Sequence, residues 1–195
     1  MLNKILLLIL LLALSACSHQ PLEPSYRKVL PAVRQTQLTT LNHWEIEGSF
    51  SLRQPPQSVV ANYEWLQQGD HYDLHIHSAL NLVSIKIIGE PNEVHLWRSA
   101  RHVVEAQNPE ELMQAQLGWQ LPLSNLQYWI RGLPAPGLYK ARYDAYGHLL
   151  TLKQAGWTIH YSKYLPHGHY DLPTMLKLTD DQWAAKISIK RWELE

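Results

Sequence analysis

From Trp44 onward the chain alternates, with Trp44, Ile46, Gly48, Phe50 and Leu52 on one parity and Glu45, Glu47, Ser49 and Ser51 on the other. A period of two is that of a strand with one buried face. The alternation returns in Val59, Ala61, Tyr63 and Trp65, then in Tyr72, Leu74 and Ile76, then in Val83, Ile85 and Ile87. Turn sequences separate these runs, among them Gln68-Gly69-Asp70 and Gly89-Glu90-Pro91-Asn92, so the segment predicts an antiparallel meander. Strands are predicted again around Leu138 to Tyr143, His148 to Gln154, Trp157 to Ser162, Met175 to Leu178 and Ala184 to Trp192, with Tyr146-Gly147 and Ala155-Gly156 as turns. A single sheet of ten or eleven strands is more than usually stays flat, and it should curl.

Three segments carry a helical period instead. Leu30, Val33, Leu38 and Leu41 suggest a short helix between Val29 and Asn42, with Pro31 near its start. Asn108-Pro109-Glu110-Glu111 places a capping Asn before a Pro at the first helical position, and Gly118 follows Leu117 as a stop. The segment Ser124 to Arg131 puts Leu126, Trp129 and Ile130 on one stripe and ends at Gly132, with Pro134 beyond. The curled sheet presents Ile46, Phe50, Tyr63, Trp65, Leu74, Ile76, Ile85 and Ile87 on its concave side, and the two later helices are available to cover them. Whether they fill the concavity or leave an apolar pocket is open at this level.

The chain start has a different character. Lys4 precedes an unbroken apolar run from Ile5 to Leu14, too short for a spanning helix of roughly 20 residues and suited to a signal-peptide core. Leu14-Ser15-Ala16-Cys17 resembles the bacterial lipobox, an aliphatic residue and two small ones before a cysteine. Cys17 is the sole cysteine of the 195 residues, which excludes an intramolecular disulfide framework and a multi-cysteine metal site. The resemblance implies cleavage after residue 16 and acylation of Cys17. Three acyl chains anchor far more firmly than one. Residues 1–16 are thus expected to be a signal peptide, 17–28 a lipidated terminus and flexible tether, and 29–195 the folded domain. Ser18, where inner-membrane lipoproteins tend to carry Asp, points to the outer membrane, with the domain facing the periplasm.

Composition narrows the function. Lys and Arg total 17 against 17 Asp and Glu, so no basic surplus exists to displace counterions from nucleic acid. No Gly-x-Ser-x-Gly, His-Glu-x-x-His or phosphate-binding Gly loop is present, and neither an enzyme nor a cofactor is expected. The 11 histidines are the one suggestive feature. His71, Asp73, His75 and His77 share a strand face, and Pro166-His167-Gly168-His169 adds two more in a loop. This set suits either a solvated outer face or zinc or copper, although neighbours almost 7 Å apart converge poorly on a tetrahedral ion. A metal-binding or structural periplasmic lipoprotein is therefore the alternative function.

A family resemblance lies in the centre of the chain. Leu117-Gly118-Trp119-Gln120-Leu121-Pro122-Leu123, Leu126 and Tyr128-Trp129-Ile130-Arg131-Gly132-Leu133-Pro134, followed by Pro136-Gly137, are similar to the central signature of the LolB family of outer-membrane lipoprotein receptors. Trp44 with Gly48 and Phe50, Trp65 before Gln67 to Asp70, Gly156-Trp157 with Tyr161, Leu172-Pro173 and Trp192 extend the likeness over nearly all of the mature chain. The resemblance implies a mainly β fold, an incomplete, unclosed antiparallel barrel of about eleven strands with a helical lid. It implies a monomer that accepts acylated lipoprotein cargo from the periplasmic carrier LolA and inserts it into outer-membrane lipid. The acyl cavity would be lined by the eight concave residues above with Leu126 and Trp129. The family's protruding leucine, usually within Pro-Leu-Gly, corresponds to Leu80 in Ala79-Leu80-Asn81, a turn expected to serve membrane insertion of cargo.

Overall fold

A computed structural model describes residues 26–78, 84–99 and 102–195. Cys17, Leu80 and the start of the predicted strand at Val83 lie outside the described residues. The described chain contains one antiparallel sheet of 11 strands and three helices. The strands are β1 His43–Gln54, β2 Gln57–Gln68, β3 His71–His77, β4 Ser84–Glu90, β5 Glu93–Ser99, β6 His102–Ala106, β7 Tyr139–Tyr143, β8 Leu149–Gln154, β9 Trp157–His167, β10 Tyr170–Thr179 and β11 Ala184–Leu194. The helices are α1 Pro31–Thr39, α2 Pro109–Leu117 and α3 Leu123–Trp129.

Strand order is β6-β5-β4-β3-β2-β1-β11-β10-β9-β8-β7, so the two ends of the chain's β structure meet in the middle of the sheet, where β1 pairs with β11. β6 and β7 are the edges, and the sheet stays unclosed. The antiparallel order gathers the β1–β2, β8–β9 and β10–β11 turns, the end of β3, the start of β4 and the start of β7 at one end, the upper end. Both α2 and α3 lie in the stretch that links edge to edge. They cross the concave side.

Alternation holds where the sequence shows it: inward positions of β1 from Trp44 to Leu52 are buried and the intervening ones half-buried. Gly48 belongs to this inward set for a steric reason. A Cβ there would stand 2.0 Å from the Ser188 carbonyl oxygen and 2.7 Å from Tyr63 Oη, because β11 shifts register beside it and Tyr63 crosses over it to donate to Ser188 O. Two strands, β5 and β6, fall between the segments named from sequence. Their outward positions carry His95, Trp97, Val103 and Glu105, and the hydrophobic run is short. β7 begins at Tyr139 rather than Leu138. β9 runs on through His167, so Pro166 and His167 are strand and the turn is Gly168-His169 alone.

α1 differs most from its predicted face. Leu38 and the following Leu41 are buried, whereas Leu30 and Val33 are exposed, and the remaining buried position is Arg34. Its guanidinium donates from Nη1 to Asp171 Oδ2 at 2.8 Å and from Nε and Nη2 to the Tyr146 carbonyl. His148, fully buried, lies between Asp171 and Asp144 with ring nitrogens 3.0 and 2.9 Å from their carboxylates, and it stacks on Tyr164 at 4.4 Å. Tyr26 closes the group by donating to Tyr164 O at 2.6 Å. A buried guanidinium must be paired, and its fixed fork leaves one docking position for α1 against β10 and the β7–β8 turn.

The Asp144 carboxyl responds to this environment. Burial acts to raise its pKa and is outweighed by hydrogen bonds from the backbone and ring of His148 and the backbone of Tyr146, so it ends below the usual carboxylate range. A pKa depressed by folding contributes stability that is complete above the unfolded value of about 4 and is lost as pH falls through the folded value. Asp144→Asn is expected to lower unfolding free energy at neutral pH by about 1 kcal/mol, the scale of one partly exposed charge-assisted hydrogen bond. It should also flatten the loss of stability below about pH 4. Urea denaturation across a pH series checks both; parallel curves for the two proteins would count against this assignment.

Candidate functional site: an apolar cavity under the helices

The covering helices are set by local chemistry. Asn108 Oδ1 accepts from Glu111 N at 2.7 Å, Pro109 takes the first helical position, and Gly118, at φ 72°, closes α2 in the left-handed conformation. α3 starts at Leu123 and ends at Trp129, leaving Arg131 in the following turn. Its N-terminus has no side-chain cap of its own. Glu110 of α2 supplies one, accepting from Ser124 N at 2.8 Å and Ser124 Oγ at 3.2 Å.

Between helices and sheet lies an apolar cavity of about 40 Å³. The sheet lines it with Phe50, Tyr63, Trp65, Leu74, Ile76 and Ile187, and the helical segment with Met113, Trp119, Leu121, Leu123, Leu126 and Ile130. Six of the ten residues expected from sequence therefore face it. Ile46, Ile85, Ile87 and Trp129 are buried in the core around it without lining it. Ile187 comes from β11, whose contribution across the β1 seam no local pattern announces. Trp119 and Leu121 lie in the α2–α3 link, where Trp119 packs edge-on against Phe50 at 5.6 Å. The room suffices for a few water molecules at most.

The two helices are held differently. α3 is pinned by buried polar bonds at its C-terminal end: Trp129 Nε1 donates to Gln154 Oε1 at 2.9 Å, Tyr161 Oη donates to the Trp129 carbonyl at 3.0 Å, and Arg131 donates to the Leu41 carbonyl and, through Nε, to Gln127 O. Burial lowers the Arg131 pKa. α2 rests on the edge strand β6 and its neighbour β5 and buries Leu112 and Met113, with the exposed Glu110–Ser124 bonds and an exposed Arg98–Gln116 carbonyl contact as its polar ties. Breaking α3 loose would strand buried donors at about 1–3 kcal/mol each, whereas α2's polar ties exchange for water at little cost.

Burial pushes the Tyr63 phenol far above its ordinary range, and Tyr161 likewise, so both stay neutral on the inner face. The histidine cluster does not assemble. Among the described residues, His71, Asp73, His75, His77, His167 and His169 form no group of three within ligating reach, and Asp73 instead binds Lys86 at 2.8 Å and His75 at 3.1 Å. Glu93, His95 and Glu105 do come together, across the β5–β6 pair missed from sequence. Their carboxylates address opposite ring nitrogens, Nε2 at 3.2 Å and Nδ1 at 3.4 Å, so the two flank the ring from either side instead of converging on one point.

A curled, unclosed antiparallel sheet with helices across an apolar cavity defines the class first. In fold the chain is similar to a LolA superfamily protein from Nitrosomonas europaea, with a TM-score of 0.58 at 10% identity over 86% of this chain and 94% of that one. Sequence defines the family: residues 42–192 match the model of outer membrane lipoprotein LolB. The chain belongs to the LolB family. It is 48% identical over 168 residues, 86% of its length, to an outer-membrane lipoprotein LolB of Coxiella burnetii, covering 80% of that relative. To one of Ectopseudomonas mendocina it is 34% identical over 99% of its length and 97% of the relative's. Among the described residues no helix is long and apolar enough to cross a membrane.

The unequal fastening of the helices has a measurable consequence. Amides of α2 are expected to exchange hydrogen at least ~10-fold faster than those of α3, by local opening that leaves the sheet intact. Hydrogen-exchange mass spectrometry on peptides covering 109–117 and 123–129 reads this directly; equal protection of the two would sink the assignment.

Proposed function

We propose that the chain is an outer-membrane-anchored receptor that accepts lipoproteins from the periplasmic carrier LolA through this cavity and inserts them into the outer membrane. The observation that carries the reading is the apolar cavity beneath a helix held by few polar ties, in a chain of the LolB family. An acyl chain of about 16 carbons costs on the order of 12 kcal/mol to expose to water at roughly 0.8 per methylene. Cargo must therefore pass between two apolar sites in contact. The present cavity is far smaller than such a chain, so acceptance requires α2 and the Trp119 link to move off Phe50 while α3 stays as a wall. The sequence carries no nucleotide-binding loop, and direction comes from a difference in affinity, each 1.4 kcal/mol giving a factor of about ten. No bond in the cargo is made or broken.

In this reading Cys17 bears the lipid anchor that confines the receptor to the outer membrane. Leu80 falls in sequence between the end of β3 and the start of β4, and in this reading it enters the lipid chains as cargo is discharged.

A two-stage transfer with the chain from Ser18 to Glu195 tests the proposal; this segment retains the whole core cluster, which runs from Leu38 to Trp192. Cargo is first taken from loaded carrier, then delivered to liposomes. Ile76→Glu, which sets a carboxylate against the cavity at a cost of several kcal/mol, should abolish acceptance with the fold retained by circular dichroism. Leu80→Glu should accept normally and deliver poorly, because a charge is disfavoured in hydrocarbon. Normal transfer by both variants overturns the reading. So does stoichiometric zinc retention by a chain that binds no fluorescent fatty acid, which would favour the metal-binding alternative.

A further inference from the structure

At the upper end of the sheet, where β7 begins, a leucine stands almost wholly in water: Leu138 is 97% exposed and its neighbour Tyr139 43%. The protrusion is built. Gln154, buried on β8, uses its amide in both directions on the preceding loop, donating to the Ala135 carbonyl at 2.7 Å and accepting from Ala135 N at 2.9 Å. With Ala135 fixed, Pro136 and Gly137, the latter at φ 111°, carry the chain outward to Leu138. Leaving a large apolar side chain on a rigid mount adds nothing to the core.

Charge surrounds it on one side. Lys140 and Lys153 are directly opposite each other on β7 and β8, a like-charged pair that weakens the ladder, and both border a shallow hollow of about 530 Å³ with Leu138, Tyr139 and Trp157. The next strands repeat the pattern, Lys177 of β10 facing Lys186 of β11. Among the described residues none of these four lysines has a carboxylate within ion-pair distance. Asp180 and Asp181 share the upper end, two turns away, and Asp180 is engaged by the backbone N–H groups of Gln182 and Trp183.

We propose that this corner is a second membrane-contact site, in which Leu138 enters the acyl boundary, Tyr139 lies at the headgroup level, and Lys140 and Lys153 bind the phosphates of anionic phospholipid. An apolar tip, an aromatic ring behind it and unpaired lysines behind that match the depth profile of a bilayer leaflet. A protein partner would need a broad complementary surface, and a single projecting leucine offers none. The inference deepens the receptor reading by naming a membrane-facing residue within the described fold, at the end of the sheet where β3 ends and β4 begins.

The test uses vesicles alone, so its failure leaves cargo transfer unaffected and is distinguishable from failure of the receptor reading. The Ser18–Glu195 chain contains no cysteine, and Leu138→Cys labelled with a polarity-sensitive fluorophore reports one position. The label should shift to the blue on vesicles of phosphatidylethanolamine with phosphatidylglycerol and stay unshifted on phosphatidylcholine. A label on His169→Cys, in the turn at the opposite end, should not respond to either. Each lysine near an anionic surface is worth about fivefold in partition, so Lys140→Glu with Lys153→Glu, read by co-sedimentation of the unlabelled chain, should lose tenfold or more. Leu138→Glu should lose binding comparably, with unchanged circular dichroism. An unshifted label on anionic vesicles, an equal shift at both ends, full binding by the charge-reversed variant, or a response to carrier protein in place of vesicles overturns the proposal.

Discussion

An eleven-stranded antiparallel sheet with one apolar face must keep that face from water, and here it does so without closing. Closure would satisfy both edges and seal the interior permanently. Leaving β6 and β7 apart obliges the intervening chain to cross the concave side, and the crossing segment supplies α2 and α3. Each inward aliphatic or aromatic residue covered this way contributes about 1.5–3 kcal/mol, so the helices and the sheet depend on one another for stability. The cavity sits where that mutual packing is least complete, with Phe50 and Trp65 on one side and Met113 and Trp119 on the other.

Polar contacts decide which part of the cover is fixed. Trp129, Gln154, Tyr161 and Arg131 join α3 to β8, β9 and the link between α1 and β1 through bonds shielded from water. Such bonds are costly to break singly, since each broken one leaves a desolvated partner. The ties of α2 are solvated and therefore weak. The same Gln154 amide that accepts from Trp129 also holds Ala135, so the fixed helix and the projecting Leu138 share one buried side chain. On the far side, Arg34, Asp171, His148 and Asp144 dock α1 and, with Tyr164, bring Tyr26, the first of the described residues, against the body of the domain.

Much of this is legible in the sequence because strand and helix periods are local. Alternation from Trp44 to Leu52 and the Asn108-Pro109 start with its Gly118 stop reappear in the structure residue for residue. Where a segment is short and its outer face carries aromatic and histidine residues, as in β5 and β6, the period is too weak to read. Arg34 shows the opposite failure: an exposed-looking cation on a helix becomes its buried anchor because Asp171, 137 positions away, meets it.

The sequence by itself determined the architecture, since a buried face, a turn and a helix cap each need only neighbours within a few positions. It also determined the family, through the run from Leu117 to Gly137. Which side chains face the cavity was decided by tertiary structure alone. Ile46, Ile76 and Ile87 are all buried inward residues of the same chemistry, yet only Ile76 lines it, because what stands opposite each one is set by the packing of the helical segment and not by its own strand. Likewise nothing local separates Leu138 from a core leucine. Its exposure follows from Gln154 holding the preceding loop across 19 residues of chain, a constraint that exists only once β8 is in place.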